Sequence, residues 1–116
     1  MKISRIAEIL NATVETGHEL LNKEINSACG SDMMSDVLAF VKDQSALLTG
    51  LVNPQVVRTA EMTDMYCIIF VRGKRPDEAL IQLAKERSIV VLCTKWDMYR
   101  ACGMLYTSGL MKAGDL

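Results

Sequence analysis

The sequence predicts an α/β domain in which a mostly parallel sheet of about four to five strands is flanked by helices. Two observations carry this prediction. Residues 66–71 (YCIIFV) and 89–93 (IVVLC) are continuous runs of strand formers, with shorter candidates at 25–29 and 46–49. Continuous rather than alternating apolarity is what a strand covered on both faces requires. Segments with apolar residues at helical spacing separate these runs, and such alternation argues for parallel βαβ units with right-handed crossovers.

The elements follow in order. Ile3, Ile6, Ala7 and Leu10 recur at i, i+3, i+4 and i+7, the stripe of a short helix begun by Lys2 or Ser4 and ended by Asn11. Residues 13–16 (TVET) suit a short strand before Gly17, and the polar segment 18–24 suits a loop. After strand 25–29, the break Gly30-Ser31-Asp32 leads into a helix with Met34, Val37, Leu38 and Val41 at helical spacing, for which Ser31 or Asp32 can serve as cap. Strand 46–49 is followed by a helix over 54–63, with Asn53 at the cap and Pro54 at the first helical position, where a missing N–H is harmless. Strand 66–71 leads through Arg72-Gly73-Lys74-Arg75 to a helix over 76–87, where Pro76 is expected to repeat the device and Asp77 and Glu78 suit the macrodipole. Strand 89–93 precedes a helix over about 95–108, with Thr94 to Asp97 spaced as a capping box. Residues 1–110 are expected to form one domain, with 111–116 a short tail.

At 116 residues the chain has the common size of one domain. A formal net charge of −1 gives no electrostatic case for wrapping nucleic acid or adhering to an anionic membrane. No apolar stretch has the length of a membrane span. The start MKISRIAE carries an acid and no apolar core, so an export signal is not expected. Four free thiols then suggest a cytoplasmic setting. Cys29, Cys67, Cys93 and Cys102 form no C-x-x-C pair, and the single histidine, His18, adjoins none of them, so no metal or other cofactor is expected. Cys67 and Cys93 fall inside apolar runs and suit burial.

Enzyme signatures are missing. Gly73-Lys74 lacks the upstream glycine of a phosphate loop, and neither G-x-G-x-x-G nor G-x-S-x-G occurs. His18 has no catalytic partner, and Asp32 and Asp36 suit a solvated helix start better than an acid–base pair. Catalysis is therefore not expected.

In a parallel sheet, ligands gather beyond the carboxyl ends of the strands. The loops there contain Ser31, Asp32, Thr49, Gly50, Asn53, Arg72, Gly73, Lys74 and Thr94. These residues offer hydroxyls, glycine-freed amides and cations at helix starts, the chemistry of a shallow pocket for an anion or nucleotide. The same residue types also serve any strand-to-helix turn, and both readings stand. The last helix spreads Trp96, Tyr99 and Tyr106, with methionines, over more than one stripe. That surface suits either burial in a small domain or the contact of a homodimer.

The segments KISRIAEILNATVETG, GSDMMSDVLAF, LLTG and GKRPDEALIQLAKERSIVVL, in this order and spacing, resemble the DRTGG domain family from residue 2 to about 110. The family is similar to the N-terminal, non-kinase domain of HPr kinase/phosphorylase and to accessory domains of phosphotransacetylases and CBS-containing pyrophosphatases. The resemblance implies a regulatory or assembly module without kinase activity, with a partner enzyme encoded nearby. The literal D-R-T-G-G string is absent, and only Arg58-Thr59 of its nearest counterpart, residues 57–61, is retained. No ligand role is carried over from that motif. The expected function is a non-catalytic regulatory module that senses a nucleotide or phosphorylated metabolite at the strand-end loops. The alternatives are a pure interaction domain and a small phosphoryl-transfer enzyme.

Overall fold

The computed structural model describes residues 1–41 and 44–112. The elements run α1 (Ile3–Ile9), β1 (Thr13–Thr16), a 3-10 turn (His18–Leu20), β2 (Ser27–Gly30), α2 (Met34–Phe40), β3 (Ser45–Thr49), α3 (Pro54–Met62), β4 (Cys67–Phe70), α4 (Glu78–Glu86), β5 (Val90–Cys93), α5 (Met98–Thr107) and β6 (Met111–Lys112). One sheet contains all six strands in the order β1-β5-β4-β3-β2-β6. Neighbours from β5 through β6 are parallel, and β1 alone is antiparallel, against β5. The α/β class with a mostly parallel sheet is thus observed. The sheet has one strand more than expected because Met111–Lys112, placed in the tail by sequence, pairs with Ser27 and Ala28. Residues 113–116 of that tail lie outside the described residues.

Alternate side chains of the apolar strands feed two cores. On one face Leu47, Ile68, Phe70 and Val91 meet Val37 of α2, Val56 and Ala60 of α3, and Leu80 and Ala84 of α4. On the other, Ala46, Leu48, Cys67, Ile69 and Leu92 meet Ile3 and Ile6 of α1 and Ala101 and Leu105 of α5. A polar residue on either face of β4 or β5 would enter one of these cores, hence the unbroken runs.

Several boundaries differ from expectation, each because a hydrogen bond is committed elsewhere. The Ile25 amide donates to the Met1 carbonyl, so β2 begins at Ser27 although Ile25 is buried. α3 starts as expected, with Asn53 accepting from the Gln55 amide and Pro54 opening the helix. Pro76 does not repeat that device: Asp77 caps α4 by accepting from the Leu80 amide, which leaves Pro76 ahead of the helix. The capping box is absent too. The Thr94 hydroxyl donates to the buried Leu10 carbonyl at 2.8 Å, and Asp97 caps α5 through the Arg100 amide. α2 has Met33 at its cap position and no side-chain cap, so neither Ser31 nor Asp32 fills that role.

Candidate functional site

Parallel pairing sets the exits of β2, β3, β4 and β5 side by side. Gly30 lies opposite Leu48, Thr49 opposite Phe70, and Phe70 opposite Cys93. The expected common rim therefore exists, and hydrogen bonds stitch its loops together in sequence across the sheet. Asp32 Oδ1 accepts from the Thr49 hydroxyl at 3.0 Å and from the Gly50 amide at 2.7 Å, joining the first two exits. The Val71 amide donates to Thr49, the Arg72 amide to Trp96 and the Gly73 amide to Thr94, joining the rest.

This stitching divides the nine expected ligand residues. Ser31 accepts from the Met33 amide, Thr49 and Gly50 are held by Asp32, Asn53 caps α3, and Thr94 is buried against Leu10. At the β2–β3 half the donors are spent and a carboxylate stands among them, a poor setting for an anion. At the β4–β5 half the cations are less committed: among the described residues Arg72, Lys74 and Lys95 form no ion pair. Arg72 and Gly73 are consecutive left-handed residues, at φ 60° and 70°, and turn the chain sharply at the β4 exit.

Beside that turn lies a hollow of about 140 Å³ lined by Asn11, Thr13, Gly73, Arg75, Cys93, Thr94 and Lys95. Three segments build it: the α1–β1 turn, the β4–α4 loop and the β5 exit. Gly73 and Thr94 of the expected set line it, while Ser31, Asp32, Thr49, Gly50, Asn53, Arg72 and Lys74 do not. Arg75 Nη1 donates to Glu15 Oε1 at 2.8 Å. Burial pushes the Cys93 thiol up to about 11, with Glu15 adding to the rise and Arg75 opposing it. The thiol is accordingly neutral at pH 7. The sequence named Arg75 only as part of a basic loop. Asn11 and Thr13 carried no signal, because they arrive here through the antiparallel β1–β5 pairing.

The interface residues expected on the last helix are accessible. Tyr99 is 91% exposed and Tyr106 64%, with Trp96 at 36% and stacked with Arg100 at 5.1 Å. The outer face of α5 is open, with about 660 Å³ of accessible space along Tyr99, Cys102, Met104 and Tyr106. A smaller hollow of about 210 Å³ adjoins it under α5, between Ala28, Gly30, Leu105, Leu110 and Met111. An added Cβ at Gly30 would stand 2.6 Å from Cys102 Sγ, so that side chain would have to turn aside. Among the described residues no cluster of three or more His, Cys, Asp or Glu suits a metal, and no helix is long and apolar enough to cross a membrane.

The model of the DRTGG domain matches residues 5–108. No curated protein matches the chain. Among solved structures it is similar to the CBS and DRTGG domains of the regulatory region of Clostridium perfringens pyrophosphatase, complexed with the activator diadenosine tetraphosphate. The TM-score is 0.73 at 18% identity, over 99% of this chain and 52% of that one. The chain thus spans about half the length of that structure, and the likeness establishes a shared fold.

Proposed function

The chain belongs to the DRTGG domain family, and from that premise we propose that it is a non-catalytic regulatory module that signals through association, α5 meeting a second copy of the chain. The observation that carries this reading is the open outer face of α5, on which Tyr99 and Tyr106 stand exposed. Tyrosine, tryptophan and methionine are the residues enriched where partners meet. A stable contact needs roughly 800 Å² per partner, about one-eighth of the 6356 Å² surface. The contact therefore extends past the helix to the adjoining hollow at Met111. A homodimer is the commonest closed arrangement, and an enzyme encoded nearby is the natural object of its regulation.

Sedimentation across a concentration series tests the association. Wild type should dimerise, and Tyr99→Glu should remain monomeric with an unchanged circular dichroism spectrum. A wild type that stays monomeric throughout, or a variant that still dimerises, removes this reading.

A second reading is favoured by the activator held in the pyrophosphatase regulatory region. In it the module senses a nucleotide or phosphorylated metabolite at the rim, where Arg72, Lys74 and Lys95 supply uncommitted positive charge. A ligand that prefers the native state raises stability by about 2.7 kcal/mol at a hundredfold excess over its Kd. Thermal unfolding with a panel of nucleotides and sugar phosphates checks this, and no shift from any of them ends it.

A further inference from the structure

We infer that the hollow between the α1–β1 turn, the β4–α4 loop and the β5 exit is a seat for one phosphoryl group, with Arg75 and Lys95 as its charged donors. This rests on the anion-sensing reading and gives that reading an address. The location differs from the β2–β3 loops that the sequence favoured, and charge is the reason. Those loops centre on the Asp32 carboxylate, whereas Arg75 and Lys95 converge on this hollow from two loops.

Size sets the ligand class. At about 140 Å³ the hollow is well below the roughly 300 Å³ at which pockets begin to engulf a whole small molecule. It is also several times the roughly 30 Å³ that a water occupies in the liquid. It therefore admits an anionic head and leaves the rest of the ligand outside. The chemistry is consistent throughout. Arg75 uses Nη1 on Glu15, and its guanidinium retains further N–H donors. Lys95 has no ion-pair partner among the described residues. Asn11 adds a carboxamide, and the neutral Cys93 thiol brings no opposing charge. Thr94 does not donate to the ligand, because its hydroxyl is committed to Leu10. Glu15 works against an anion by occupying Arg75.

That opposition provides a test with both signs. Pyrophosphate and ATP are titrated into the full chain by calorimetry, with amide chemical shifts followed by NMR. Binding should shift the Gly73, Thr94 and Lys95 amides and weaken with added salt. Arg75→Gln with Lys95→Gln should weaken it by about tenfold or more, since charge-assisted hydrogen bonds are the strong ones. Glu15→Gln should tighten it, a gain that misfolding cannot mimic, and Lys85→Gln on α4 should leave it within about twofold because that side chain does not line the hollow. If the anions bind but the double variant and Glu15→Gln match wild type, the hollow is rejected and anion sensing stands. If neither anion binds wild type, the hollow is rejected, while the wider nucleotide and sugar-phosphate panel decides the sensing reading.

Discussion

Single side chains in this protein are governed by which face of the sheet they enter. Cys67 is the clearest case: it is wholly buried in the core beneath α1 and α5, and burial pushes its thiol up to about 12 from 9.0. Between those values the folded protein keeps the proton that the unfolded chain releases. The unfolded state then binds fewer protons, so stability falls as pH rises above 9, by about 1.4 kcal/mol per pH unit for each such group. Chemical denaturation of wild type and Cys67→Ala at pH 7, 9 and 10.5 isolates this effect. The variant is less stable at pH 7 because of the cavity it leaves, but the gap should narrow by about 1.4 kcal/mol per pH unit above 9. Parallel curves would mean that the thiol ionises as easily in the fold as outside it.

At the scale of elements, helix starts separate what the sequence expresses from what only packing decides. Asn53-Pro54 is local chemistry, and its cap was legible from two adjacent residues. Thr94 was misassigned because its hydroxyl has two possible uses. The winning one, the Leu10 carbonyl, lies 84 residues away and is buried, where an unmet acceptor is expensive. Asp97 was left free to cap α5. Asp97→Ala and Asp77→Ala should each lower stability by about 1 kcal/mol in urea titrations. Thr94→Ser, which keeps the hydroxyl, should change it little. If instead Thr94→Val, which removes the hydroxyl, exposed the first-turn amides of α5 to hydrogen exchange and Asp97→Ala did not, the assignment of the cap would be reversed. The same logic explains the site. Both cations of the hollow were visible as residues, but the Asp32 clamp and the β1–β5 pairing that divide the rim are contacts between distant segments.

Across the whole molecule, the sheet order implies a gradient of stability. β3, β4 and β5 are buried along their length and paired on both sides, whereas β1 and β6 are edges, β6 being only two residues long. The strand pattern was readable because both-face burial leaves its mark in composition. The edges were less so: a two-residue strand has too little length to show a period, and its pairing with Ser27 and Ala28 is purely long-range. Native-state hydrogen exchange should resolve the gradient. Amides of Leu47, Leu48, Ile68, Ile69 and Val91 should exchange only through global unfolding, sharing one free energy, while those at β1 and β6 open through smaller local events. The consequence for function is directional. The hollow beside Arg75 lies where the β1 edge meets the β5 exit, and the exposed face of α5 runs down to the weakly held β6 edge at the other side of the sheet. A dimer formed through α5 should therefore raise protection at β6 and the flanking end of β2 far more than at β4. Equal protection gained across all strands would point to stabilisation of the whole fold, and no gain at β6 would place the contact away from that edge.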